Sequence, residues 1–253
     1  MSRVVFVEMP AYGHVYPSLA VVRELVRRGE QVDYYVTEEF RAQIEHTGAT
    51  FHGYPAGVLS EAEIARATQS GDLTRVPSVV LRATDSLLPY LLEVLPRQRP
   101  DAVVLDSNAL FGHMAVKLLR LPAVSLMTTI MLGPAQYTRL TPREWLRMLA
   151  PMLPGLPRVV ALRSRLARRF GSAAWPEGPA FPTRGGLNIA FVPPDFQPEN
   201  ALVDETFRFV GPVIDPQARP DDAPPDTAGP GPLVYVSLGT LHRGSTDFFR
   251  QCF

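Results

Sequence analysis

Two side chains in this sequence have the type and the setting for proton transfer, His14 and Asp106. His14 stands in the run Pro10-Ala-Tyr-Gly-His-Val-Tyr-Pro17, after the apolar segment Val4 to Met9 and ahead of Ser18 to Arg28. Leu19, Val22, Leu25 and Val26 fall near helical spacing, so the passage reads strand, tight Gly turn, helix. That puts His14 at a strand's carboxyl end and a helix's amino end, where open parallel sheets bind ligands. The helix dipole disfavours an imidazolium there, so the expectation is a neutral ring able to accept a proton. Asp106 ends the apolar run Asp101 to Leu105, so it emerges on the same sheet edge. A carboxylate within reach of His14 would fix its tautomer and stabilise the imidazolium formed on proton abstraction. The bland alternative is that Asp106 only caps the helix beginning near Asn108, a task open to Ser107 as well.

Ser237, Gly239 and Thr240 form a second candidate, because hydroxyls and backbone N–H groups at a strand-to-helix turn can hold a diphosphate. Tyr12, Gly13, Phe111, Met127, Thr128 and Met131 are the candidate pocket-lining, substrate-binding residues near the His14 edge. Core packing is the ordinary role of each alone, and their clustering is what suggests a pocket. The first turn lacks the GxGxxG spacing of a dinucleotide site, which counts against nicotinamide or flavin. His46, His52, His113 and His242 have no metal-ligand spacing and read as structural or solvated.

These residues need elements to position them. Strand-like Gln31 to Thr37, Thr50 to Tyr54 and Ala123 to Met127 alternate with helical Glu38 to His46, Ser60 to Ser70, Val76 to Leu95 and Ala109 to Leu119. The spacing breaks Val76 to Leu95 near Pro89. Several strands are apolar throughout, which predicts an α/β doubly wound, Rossmann-like parallel sheet. Thr141 to Leu153 and Val159 to Phe170 read as Arg-rich helices, and Leu187 to Val192 and Phe207 to Val210 as further strands. The arginines suit a solvated face, with peripheral membrane contact as the alternative. Pro212 to Pro232 reads as a linker, Leu233 to Leu238 as a new strand, and Thr246 to Phe253 as the start of a helix. The expected organisation is therefore a domain over 1–211, a linker over 212–232, and the opening of a truncated domain over 233–253.

The chain has 253 residues, zero formal net charge, one lysine (Lys117) and one cysteine (Cys252). Neutrality argues against nucleic-acid binding spread over the surface, and one cysteine excludes an internal disulfide or a cysteine-based zinc site. No apolar run reaches the roughly 20 residues that cross a bilayer, and no secretory signal is visible. A cytoplasmic protein is expected.

PAYGHVYPSLAVVRELVRRGEQVDYYVTEEF resembles the amino-terminal signature of bacterial UDP-glycosyltransferases of the macrolide-glycosyltransferase type. DAVVLDS, LPAVSL, LNIAFVPPDFQP, FRFVGPVID and PLVYVSLGT are similar to later landmarks of that family, in the same order. The resemblance implies a GT-B architecture, in which one Rossmann-like domain binds the acceptor and a second binds most of the nucleotide-sugar. It implies that His14 deprotonates the acceptor hydroxyl, that Asp106 supports it, and that Ser237 and Thr240 approach the donor diphosphate. Inverting transfer from a UDP- or dTDP-sugar to a small lipophilic acceptor, such as a macrolide or other polyketide, would follow. No metal or other cofactor is implied. Two departures stand out: Tyr16 replaces the family's usual Asn, and the His-Gly-Gly donor motif and sugar-reading Asp/Glu-Gln pair have no counterpart. The expectation is an acceptor half with little activity of its own. The alternatives are the acceptor subunit of a split enzyme with a separate donor-domain chain, and a non-catalytic small-molecule or partner-binding module.

Overall fold

The computed structural model describes residues 1–133, 138, 140–178, 181–213, 234–239 and 246–252. Its strands are β1 (Arg3–Val7), β2 (Gln31–Val36), β3 (Thr50–Gly53), β4 (Ala102–Asp106), β5 (Ala123–Met127), β6 (Leu187–Ala190) and β7 (Phe207–Phe209). Its helices are α1 (Tyr12–Arg27), α2 (Arg41–Glu45), α3 (Glu61–Gln69), α4 (Arg75–Gln98), α5 (Leu110–Leu119), α6 (Pro142–Leu149), α7 (Leu156–Phe170) and α8 (Thr246–Cys252). All seven strands join one parallel sheet in the order β3-β2-β1-β4-β5-β6-β7. The order reverses between β1 and β4, and a crevice opens beyond their carboxyl ends at such a switch point.

Strand side chains alternate between faces, and the two cores follow that alternation. Val5, Val7, Tyr35, Val103 and Leu105 pack under α4, α5 and α7, while Phe6, Tyr34, Val36, Val104 and Leu126 pack under α1 and α2. A β-carbon on Gly112 would come within 2.8 Å of Leu105 and 3.1 Å of Val7, so only glycine lets α5 sit this close to β1 and β4. Local signals set the helix starts. Ser60 accepts from the Glu63 backbone N–H ahead of α3, and Thr141 and Glu144 form a reciprocal capping box on α6.

Two sequence expectations are corrected. Helix α4 runs unbroken through Pro89. A proline removes the N–H that would serve the carbonyl four residues earlier, here Asp85. Arg169 from α7 donates to that carbonyl at 2.7 Å and also to the Asp85 carboxylate, which Arg165 meets at 2.8 Å. Part of the arginine richness thus repairs the proline site. Leu233 to Leu238 is not a strand where described. Val234 to Leu238 pairs with none of the seven strands, and Val234 and Tyr235 are exposed. A β-rich run without a ladder partner stays irregular. Most of the expected linker, residues 214–232, lies outside the described residues. No described helix is long and apolar enough to cross a membrane.

Candidate functional site

The carboxyl ends of β1, β4 and β5 bring together Glu8, His14, Asp106 and Thr128. The His14 Nδ1 lies 2.7 Å from Asp106 Oδ2. Asp106 has no exposed surface, and the His14 side chain is 14% exposed. Since a carboxylate only accepts, Nδ1 carries the hydrogen, and Nε2 is the nitrogen left to take a proton.

Asp106 supports His14 and closes the turn ahead of α5, but it does not cap that helix, whose N-cap is Ala109 with no side-chain cap bond. Its Oδ1 accepts from the Asn108 backbone N–H at 2.7 Å, holding the turn into α5, while Oδ2 serves His14. Thr128 donates to the same Oδ2 at 3.2 Å and lies 2.9 Å from His14 Nδ1. Behind them, the His113 Nε2–H donates to the Asp106 carbonyl at 3.1 Å. Burial pushes the His113 pKa down to about 4, so this ring is neutral and structural.

The proton affinity of His14 shifts in the direction opposite to the one the helix dipole suggests. Burial by itself lowers its pKa, but the charge and the hydrogen bond of Asp106 outweigh burial and raise it above the ordinary 6.5. The carboxylate partner decides, rather than the helix end. Glu8 is shifted too: full burial, and then the charge of Asp106, raise its pKa well above the usual carboxylate range.

Tyr12 is half-buried, its ring edge-on to Phe40 at 5.2 Å and tilted on Tyr16 at 5.6 Å, and Gly13 is exposed beside it. Phe111 is displaced from the role expected of it. It has no exposed surface and packs edge-on to Tyr54 at 5.6 Å, because α5 turns that face onto the sheet. Met127 and Met131 are likewise almost wholly buried, in a small cluster with Ala190 and Phe207. Thr128 contacts the histidine–carboxylate pair instead of standing apart as a pocket wall. Ser237 and Gly239 are exposed and closed on each other, the Gly239 N–H donating to Ser237 Oγ at 3.1 Å, and Thr240 lies outside the described residues.

Sequence reasoning missed Glu8 and the contact of Thr128 with the pair. A lone carboxyl ending an apolar strand was the available signal for Glu8. A cleft of about 390 Å³ lies along the same edge beyond β2 and β3, lined by Thr37, Tyr54, Pro55, Gly57, Leu59 and Glu63 among others. His52 is bound to Asp33 at 2.7 Å and stacked on Tyr35, a structural role. Among the described residues, no group of three or more His, Cys, Asp and Glu is placed to hold a metal ion.

No protein-family model matches the chain. It is 28% identical over 247 residues to an NDP-glycosyltransferase of Bacillus licheniformis, covering 96% of this chain and 60% of that protein. It is 28% identical over 267 residues to the demethyllactenocin mycarosyltransferase of Streptomyces fradiae, covering 100% of this chain and 56% of the relative. An uncharacterized UDP-glucosyltransferase of Bacillus subtilis is 26% identical and 62% covered. The chain thus spans about three-fifths of the length of these curated relatives. Among solved structures, the glycotransferase of kitacinnamycin superposes with a TM-score of 0.67 at 25% identity, over 88% of this chain and 54% of that one. The calicheamicin glycosyltransferase gives 0.61 at 26% identity, over 84% and 53%. With the parallel sheet and its switch-point site, these likenesses make the chain a relative of the bacterial GT-B glycosyltransferases, over a stretch consistent with their amino-terminal half.

Proposed function

We propose that this chain is the acceptor-binding part of an inverting glycosyltransferase in which His14 is the general base. The observation that carries the reading is the 2.7 Å contact between His14 Nδ1 and Asp106 Oδ2 at the switch point of the sheet. His14 Nε2 takes the proton of an acceptor hydroxyl as its oxygen attacks the anomeric carbon of a UDP- or dTDP-sugar, and the nucleoside diphosphate leaves from the opposite face. Asp106 holds the ring in the productive tautomer and offsets the positive charge it gains. The acceptor is a small lipophilic alcohol of the macrolide or polyketide kind. Two relatives are named for macrolide chemistry, a demethyllactenocin mycarosyltransferase and an oleandomycin glycosyltransferase. The 390 Å³ cleft is of a size that takes part of such a molecule.

The donor diphosphate is assigned to Ser237, Gly239 and Thr240, completed by donor contacts outside residues 1–253, whether on a continuous chain or a separate one. No metal ion enters the step, and the protein is placed in the cytoplasm. The purified 253-residue chain is therefore expected to bind a macrolide aglycone and to transfer little sugar. Vigorous transfer by this chain, abolished in His14→Ala, would confirm the base and overturn the inactivity. Failure to bind any macrolide or polyketide alcohol in calorimetry would overturn the acceptor reading and favour a partner-binding module.

A further inference from the structure

Glu8 is the first residue past β1, and Asp106 the last of β4. The register pairs Val7 with Leu105, so Glu8 and Asp106 come next, side by side on the same sheet face. That is the face covered by α1, which carries His14. Glu8 has no exposed surface, and neither of its carboxyl oxygens has a hydrogen-bond partner. The ionisable groups around Glu8 and Asp106 come from several elements, with the neutral His113 of α5 bonded to the Asp106 carbonyl. Asp106 is on β4 and His14 on α1. Tyr34 is on β2, its hydroxyl bonded to Ser18, and Tyr54, just past β3, donates to the Glu8 main-chain carbonyl at 2.9 Å. Both tyrosines are held neutral by burial, with pKa values raised well above 10. The one cation within this set is imidazolium 14, and it is already committed to Asp106.

Two carboxylate charges side by side in a dry pocket, with the one nearby imidazole bonded to Asp106 alone, is an arrangement proteins avoid by keeping a proton on one. We propose that Glu8 is a positioning residue of the His14–Asp106 pair, held as the uncharged acid so that Asp106 is the one carboxylate facing the histidine. The proton equilibria of Glu8 and His14 are then coupled, because both side chains neighbour Asp106. Loss of the Glu8 proton places a second negative charge beside Asp106, the histidine's own partner, and so strengthens the ring's hold on its proton. For catalysis the proposal rests on His14 being the base; for titration it does not.

The test follows the His14 Cε1–H resonance against pH by NMR in the intact chain, with His14→Gln to assign it. The wild type is expected to show a second inflection beside the imidazole's own, and Glu8→Gln to lose the second. Superimposable curves overturn the proposal. If Glu8→Gln fails to fold by circular dichroism, Glu8→Met replaces it, and a wild-type curve with a single inflection is itself a refutation. A coupled titration alongside transfer that survives His14→Ala would sink the general base and leave Glu8's role standing.

Discussion

Asp106→Asn is expected to drop the proton affinity of His14 below that of a free imidazole. The carboxylate meets three groups: His14 and Thr128 through one oxygen, and the Asn108 N–H through the other. An asparagine has one oxygen and one NH₂, so it cannot accept at both ends. With its oxygen kept on the Asn108 N–H, it turns donors toward Nδ1 and pushes the ring's hydrogen to Nε2, the position that must be empty in a base. Both influences that raise the His14 pKa come from Asp106, and only burial, which lowers it, remains. A hydrogen bond to a charged group contributes about 1.5–3 kcal/mol. At about 1.4 kcal/mol per pH unit, the His14 midpoint should fall by roughly 1–2 units, from above 6.5 to below it. The sign for stability follows. The raised pKa means the wild-type imidazolium–carboxylate pair stabilises the fold fully below pH 6.5, and this is lost as pH rises through the folded-state value. Asp106→Asn should reverse that slope, because a His14 pKa below the unfolded value makes stability rise with pH. NMR titration of His14 reads the first effect, and urea denaturation between pH 5 and 9 the second. In an active enzyme, loss of the oriented base should cost about 10²–10⁴-fold in kcat. A His14 midpoint unchanged or raised in Asp106→Asn would refute the account.

Three other outcomes follow from named contacts. Glu8→Gln should gain stability relative to wild type at pH 7–8 compared with pH 4, because a raised carboxyl pKa makes folding bind a proton that the unfolded chain releases; denaturation midpoints equal at both pH values would contradict this. Arg169→Ala should cost about 1 kcal/mol or less, the exposed guanidinium being screened, and should cost less still in a Pro89→Ala background, where an alanine N–H can serve the Asp85 carbonyl. Additive losses in that double-mutant cycle would remove Arg169 from the proline repair. Thr128→Val should lower kcat up to about tenfold and shift the His14 titration while leaving the fold intact, since it deletes one hydroxyl worth about 1 kcal/mol to the pair. An unmoved His14 titration would make Thr128 a bystander.

Much of this protein is written in local pattern. Apolar runs such as Val103 to Leu105 leave no polar face, so they predict strands buried on both sides, and the intervening periodic segments predict covering helices. The same reading places His14 and Asp106 at strand ends and hence on one edge. Their contact is another matter. The two lie 92 residues apart, and they meet because β4, not β5 or β6, is the strand beside β1. Strand order is a property of the whole sheet and has no local signature. The proline in α4 looks like a break until Arg169, 84 residues beyond Asp85, supplies the donor that the Asp85 carbonyl lacks. Val234 to Leu238 has every residue preference of a strand and lacks a ladder partner among the described strands. The protonation states depend most of all on the fold. Residue type sets the ordinary pKa, but the water lost around Glu8 and the carboxyl of Asp106 placed beside it come from neighbours assembled from β1, β4 and α1. Side-chain chemistry is carried by sequence; distance and dielectric, which turn it into a site, exist only once the sheet is assembled.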